Sequence, residues 1–307
     1  MADTLQTNGK ATALAIGTNR MSVRSTRKKK TTMLSPKKFC DFVSIGKEKV
    51  LVNRSSFQVI GKTPGKSFEA GVAELYKEYY LESPTFINYF RAPKEKNASK
   101  SVWLYDQTRV IVPDIEYYHA SWVDGLRPNQ YILAQAPRDA VAAKDFFKMV
   151  DHVKAEAIII VESSDEFSSQ IAPKFEKLAT KKGEKGTDDL STADIKDHGK
   201  NLKAVKFNRA DQMAPAELVE MVERTRKYLG SPLKGPTVII CRDGATRCGV
   251  VAFIDLECDR LTKYGRVKHG DTIKAIRFTR CNTFDTFEAY DFAINSLVEL
   301  CIKHKKK

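Results

Sequence analysis

A mixed α/β fold, with helices flanking a β-sheet, is what this sequence of 307 residues predicts. Three observations carry the expectation. Short apolar runs of strand length recur along the chain, at 108–112, 131–135, 157–161 and 237–241. Amphipathic segments with apolar residues three and four apart lie between or beside them, the mark of one buried helix face. The last apolar run ends in a glycine-bearing polar turn that leads straight into another apolar segment.

Taken in order, residues 1–65 read as a basic, largely disordered tail and linker, and residues 66–304 as the folded domain. The first 38 or so residues are rich in Thr, Ser, Lys and small side chains and show no sustained apolar period. "FEAGVAELYKEYY" (68–80) places Phe68, Val72, Leu75, Tyr76 and Tyr79 on one helical face. "TRVIV" (108–112), "YILAQ" (131–135), "AIIIV" (157–161) and "TVIIC" (237–241) read as strands, with a helix over 142–153. The polar, glycine-bearing stretch 179–201 reads as a loop or hairpin insertion. "PAELVEMVERTRKYL" (215–229) is a periodic helix with Pro215 at its start, where a missing N–H costs nothing, and Leu218, Val219, Val222 and Leu229 form its core face. A final long helix is expected over 286–304.

Charge is uneven. The chain carries 52 basic and 38 acidic residues, a net of +14, and residues 1–40 hold nine basic residues against the single acid Asp3. A basic tail, more than a basic domain, explains the excess. "RSTRKKK" (24–30) suits an address to the nucleus or a contact with acidic partners or nucleic acid, with a plainly solvated tail as the alternative. The six cysteines form no CxxC pair and no metal-ligand spacing, so no metal and no cofactor are expected. With no signal-peptide core and no long apolar span, the sequence suggests an intracellular, cytoplasmic protein without a membrane contact, and a monomer.

The chemistry concentrates at 241–247. A strand ending in a tight glycine turn that opens a helix makes an anion site: successive backbone N–H groups converge, and the helix N-terminus adds positive potential. Cys241 at the strand end puts a nucleophilic sulfur there, and Arg247, six residues on, brings a planar fork that binds two phosphate oxygens. Arg242, Asp243, Gly244, Ala245 and Thr246 form the loop between them. The bare spacing arises readily by chance, and an ordinary buried cysteine is the plain alternative.

"WLYDQTRV" (103–110), "EYYHASWVDG" (116–125), "YILAQAP" (131–137), "KDFFKMV" (144–150) and the 241–247 turn occur in the order seen in protein tyrosine phosphatases. From about 66 to 304 the chain resembles that family. The resemblance implies a twisted mixed β-sheet flanked by helices, with the Cys–Arg loop at the base of a cleft. It implies Cys241 as nucleophile, Arg247 as phosphate clamp, and Asp211, in "RADQMAP" (209–215), as the acid that protonates the leaving oxygen; a simple cap for the helix at 215 is the alternative for Asp211.

Departures from the family pattern are several. The histidine before the nucleophile is Ile240, a loss that Arg242 offsets if it points inward, and the hydroxyl residue after the arginine is Cys248, a weak donor. Thr246 replaces a loop glycine and is expected to crowd it. Arg209 and Ala210 replace the Trp and Pro of the acid loop. Asp285 and Ala289 stand where water-positioning glutamines are expected, and a carboxylate at 285 would repel a phosphoryl group unless protonated or turned away. Ser99 replaces the tyrosine that stacks on phosphotyrosine, and Ser101 the aspartate that fixes the substrate backbone. Three readings follow: an atypical, weak phosphoprotein phosphatase working through a cysteinyl-phosphate; a pseudophosphatase that binds phosphorylated proteins or peptides without turnover; and a domain tethered mainly by its basic tail.

Overall fold

Three of the four predicted apolar runs become strands of one sheet in the computed structural model, which describes residues 33–44, 50–53, 58–62, 89–90, 93–161, 179–180, 190–197, 200–208, 210, 212–230 and 233–305. The predicted helix at 68–80, the basic run 24–30 and the predicted acid Asp211 lie outside the described residues. The elements of the first half are α1 (Pro36–Ser44), β1 (Val50–Asn53), β2 (Gln58–Lys62), β3 (Tyr89–Phe90), β4 (Leu104–Tyr105), β5 (Ala120–Val123), β6 (Tyr131–Gln135), α2 (Ala140–His152) and β7 (Ala157–Ile160). Then come β8 (Ala179–Thr180), β9 (Leu190–Asp197), β10 (Lys200–Phe207), α3 (Pro215–Leu229), β11 (Thr237–Cys241), α4 (Thr246–Tyr264), α5 (His269–Thr279) and α6 (Phe287–Lys305).

The main sheet has seven strands in the order β5-β6-β11-β7-β10-β9-β8. β6, β11, β7 and β10 run parallel, while β5 and the β8–β9 edge pair antiparallel. It is therefore a mixed sheet, and helices cover both faces, as the sequence predicts. β6, β7 and β11 are buried along their full length, which is why they read as unbroken apolar runs rather than alternating ones.

Alternation along each strand divides the core in two. Leu133, Ile159, Ile239 and Cys241 join the larger cluster with α3, α4 and α6, while Ile132, Ile158, Val238 and Ile240 join the smaller one, to which Phe146 and Val150 of α2 contribute. α4 is the central helix. Val250, Val251, Phe253, Ile254, Leu256 and Leu261 are all buried along it, and α3, α5 and α6 pack around it. Arg226 of α3 ties it to that helix, pairing with Asp255 at 2.7 Å and Asp259 at 2.5 Å, while the Tyr131 hydroxyl of β6, donating to Asp255 at 2.6 Å, ties it to the sheet.

Two expectations change. The run 108–112 forms only an isolated bridge, Arg109 to Ser121, although Val110 N–H still donates to Ala120 at 3.0 Å. Pro113 follows at once and has no N–H with which to continue a ladder. The assignment of all of 1–65 to tail and linker also needs correction within the described residues. Leu34, Phe39 and Cys40 are buried in the main core, and α1 packs on α6. A helix of nine residues with two consecutive lysines reads as tail because its apolar face is short. Of the 179–201 stretch, the described residues pair antiparallel as β8 with β9 and β9 with β10, which widens the sheet; α5 was not visible as a periodic segment.

Candidate active site

β11 aims the site. Cys241 lies opposite Gln135 in the parallel pairing with β6, and its carbonyl accepts a hydrogen bond from Ala136 N–H at 2.8 Å. Because side chains alternate, the sulfur faces the α4 side of the sheet, where it is 1% exposed, and Ile240 turns to the other core. The chain then doubles back at Gly244, whose N–H donates to the Cys241 carbonyl at 3.1 Å. Gly244 has φ +68°, and a Cβ there would fall 2.3 Å from the Gln135 nitrogen and 2.4 Å from the Ala134 carbonyl carbon. Only glycine fits both the conformation and the close approach to β6. α4 begins at Thr246, so the predicted strand–turn–helix frame is present.

The loop is held from beneath by Arg280, which is fully buried. Its Nε donates to the Gly244 carbonyl at 2.9 Å, its second terminal nitrogen to the Asp243 carbonyl at 3.3 Å, and the first to Ser121 Oγ at 3.2 Å. The same nitrogen lies 3.3 Å from His119 Nδ1. A guanidinium only donates, so Nδ1 accepts and Nε2 carries the proton, which it donates to the Val102 carbonyl at 3.1 Å. Burial, with the Arg280 charge beside it, holds the His119 pKa well below its ordinary value and the ring neutral. Burial likewise lowers the Arg280 pKa. Arg280 thus fastens the Asp243 and Gly244 carbonyls and fixes the path of the loop.

Those N–H groups already have an acceptor. Asp243 Oδ1 takes hydrogen bonds from Ala245 N–H at 2.9 Å, Thr246 N–H at 3.1 Å and the Cys241 thiol at 3.1 Å, and Oδ2 takes one from the Thr246 hydroxyl at 2.5 Å. Burial alone would raise the Asp243 pKa, but the Thr246 hydroxyl, the Ala245 N–H, the Cys241 thiol and the Thr246 N–H together hold it below the ordinary carboxylate value. Thr246, expected to crowd the loop, thus becomes a donor to this carboxylate.

Cys248, one residue past Arg247, is fully buried in the first turn of α4; its sulfur lies 3.1 Å from Cys241 Sγ and 3.3 Å from the Ile239 carbonyl. Burial raises its pKa well above the usual thiol range, and the Cys241 contact adds to this, so it stands there as a protonated, weak donor. Arg247 is half-buried and Arg242 is exposed. Arg247 also borders a cavity of about 360 Å³ lined by Val161, Met213, Leu218, Val250 and Ala289.

At the rim, Ser99 and Ser101 meet through their hydroxyls at 2.9 Å, and Asn282 Nδ2 donates to the Ser101 carbonyl at 2.7 Å. Asn282 has φ +59°, in the left-handed region. The Gln135 side chain fastens this rim to β6, accepting from Ala98 N–H at 2.6 Å and donating to the Lys96 carbonyl at 3.0 Å. Asp285 is half-buried; burial raises its pKa, and the Asp243 charge pushes the same way. No group of three or more His, Cys, Asp or Glu suited to a metal occurs among the described residues, nor any helix long and apolar enough to cross a membrane.

The structure therefore brings Cys241, the 242–246 loop, Arg247, Cys248, Ser99, Ser101 and Asp285 to one region, and leaves Asp211 undescribed. Arg280, His119 and Asn282 were missed by sequence reasoning. Arg280 sits in "TRC", with no spacing that links it to the loop, 36 residues away in sequence. Asp243 was seen only as one loop residue, although a carboxylate two residues after the cysteine was a readable sign.

Residues 93–209 and 207–299 match the family model described as protein-tyrosine phosphatase. The receptor-type tyrosine-protein phosphatase C of Rattus norvegicus is 26% identical over 241 residues, covering 68% of this chain and 19% of the relative. A receptor-type tyrosine-protein phosphatase of Caenorhabditis elegans is 25% identical over 282 residues, covering 76% of this chain and 20% of the relative. The tyrosine-protein phosphatase Lar of Drosophila melanogaster is 23% identical over 236 residues, with 68% and 12% covered. The chain spans about a fifth or less of the length of these relatives.

Proposed function

The chain belongs to the protein-tyrosine phosphatase family, and from that premise we propose that it is an atypical, slow phosphoprotein phosphatase working through a cysteinyl-phosphate intermediate. The Cys241 thiol first loses its proton to solvent; the thiolate attacks phosphorus, the bond from phosphorus to the leaving oxygen breaks, and Asp211 supplies the proton that oxygen needs. Water then attacks phosphorus while Asp211 takes its proton, the S–P bond breaks, and inorganic phosphate leaves Cys241 as the thiolate. Loop N–H groups and the Arg247 fork carry the charge of the equatorial oxygens.

The observation that supports this reading most is where Asp243 Oδ1 sits. An anionic oxygen rests 2.9 Å from one loop N–H, 3.1 Å from the next and 3.1 Å from the Cys241 sulfur, a placement that suits a phosphoryl oxygen beside its nucleophile. The serine rim at Ser99 and Ser101 supplies no aromatic wall, so a phosphorylated protein or peptide is selected less by stacking and depth than a tyrosine rim would allow. An intracellular setting accords with the six cysteines, all of them buried and outside any disulfide.

A second reading, capture of a phosphorylated partner without turnover, has its own support. Asp285 places a half-buried carboxylate where a water-positioning amide is expected, and Cys248 offers a thiol in place of a hydroxyl. Hydrolysis of an aryl phosphate by the full chain, beside Cys241→Ser, separates the two. Turnover that disappears in the variant and under vanadate supports the phosphatase; equal rates in both proteins, with phosphopeptide still bound, support capture alone.

A further inference from the structure

The donors that make the 241–247 loop an anion site are finite in number, and one residue of the chain already engages them. The Ala245 and Thr246 N–H groups, the Thr246 hydroxyl and the Cys241 thiol all point to the two carboxylate oxygens of Asp243. Each N–H makes one good hydrogen bond, so a phosphoryl oxygen cannot share these two with the carboxylate on equal terms. Two like-charged oxygens in one pocket also repel, and the repulsion is strong because the site is shielded from water.

We propose that Asp243 is a resident competitor for the cradle: its carboxylate fills the place of the phosphoryl group, and a phosphate monoester binds only when that side chain swings out. The inference rests on the reading of this loop as a phosphate site. The backbone supports such a swing. Arg280 holds the Asp243 and Gly244 carbonyls, at 3.3 Å and 2.9 Å, and Gly244 is wedged against β6, so the loop keeps its shape while one short side chain rotates. Asp243 thereby sets affinity rather than chemistry. It makes the site selective for ligands that repay the lost contacts: dianionic phosphate held also by Arg247, in preference to monoanions or carboxylates.

The test is binding of inorganic phosphate and of vanadate to the full chain by isothermal titration calorimetry, with Asp243→Ala and Asp243→Asn, the fold of each checked by thermal denaturation. Removal of two or more charge-assisted hydrogen bonds from the competitor should tighten phosphate binding in Asp243→Ala by roughly 10²-fold. Asp243→Asn, of the same shape without the charge, should fall between, and it answers the question if the alanine variant does not fold. KM for an aryl phosphate should drop in step. Equal phosphate affinity in all three proteins would overturn the competitor role while leaving Cys241-dependent hydrolysis standing. No phosphate or vanadate binding by any of them, with hydrolysis indifferent to Cys241→Ser, would remove the phosphate site and the competitor together.

Discussion

The Asp243 carboxylate accepts a hydrogen bond from the Cys241 thiol, Sγ to Oδ1 3.1 Å, at the point where β11 turns into α4. One contact thus reports two things: the loop binds an anionic oxygen beside the sulfur, and the oxygen it binds belongs to the chain itself. The strand–turn–helix frame that we propose as a phosphate cradle also holds the side chain that engages its N–H groups.

Cys248→Ser tests what the neighbouring thiol costs. Cys248 is a weak donor 3.1 Å from the Cys241 sulfur, and a hydroxyl there stabilises a sulfur anion better. One stronger hydrogen bond to the charged state should raise kcat for an aryl phosphate by about tenfold. An unchanged or lower kcat in a folded variant would mean that the buried donor does not act on the nucleophile.

Arg280→Ala should both loosen the loop and destabilise the fold. Its removal strands the Gly244 and Asp243 carbonyls and Ser121 in a buried site, for a loss on the order of 3 kcal/mol in unfolding free energy. Arg280→Lys should not restore stability, because an ammonium lacks the planar fork that reaches all three. Urea denaturation of the three proteins decides it; a lysine variant as stable as the parent would show that charge alone suffices.

Gly244→Ala should remove phosphate binding and hydrolysis together. The left-handed φ of +68° and a Cβ 2.3 Å from the Gln135 nitrogen leave a methyl group no room without moving β6 or the loop. Retained phosphate binding, measured by calorimetry, would show that the loop tolerates another path.

What the sequence revealed depended on the range of each interaction. β6, β7, β11 and α3 were legible because their apolar patterns are local and unbroken, and the 241–247 turn because all its parts are adjacent in the chain. α1 escaped notice: Phe39 and Cys40 gain their meaning only against α6, some 250 residues later, as the Cys40 thiol and Val298 carbonyl illustrate. Arg280 and His119 were illegible for the same reason, each supporting a loop remote in sequence. The strand expected at 108–112 failed on Pro113, a local sign that its Val110–Val112 apolarity outweighed.

His269, the first residue of α5, sets its ring tilted against Phe39 of α1, centroids 5.2 Å apart, and burial pushes its pKa down from 6.5 to about 4. The unfolded chain therefore binds a proton near pH 6.5 that the folded chain refuses until about pH 4. Stability contributed by this group is complete above 6.5 and is lost as pH falls through that window, at up to about 1.4 kcal/mol per pH unit. Denaturant midpoints across that range should show the slope in the parent and less of it in His269→Gln. The same slope in both would place the pH sensitivity elsewhere.

The central claim, that Cys241 takes up the phosphoryl group, is tested most directly by trapping the intermediate. The full chain is mixed with an aryl phosphate, quenched in acid within the first turnover, and digested for mass spectrometry. A phosphoryl group on the Cys241 peptide, and none there in Cys241→Ser, is the expected result. An unmodified Cys241 peptide at every quench time, with phenol nonetheless released or with phosphate bound and nothing released, would contradict it.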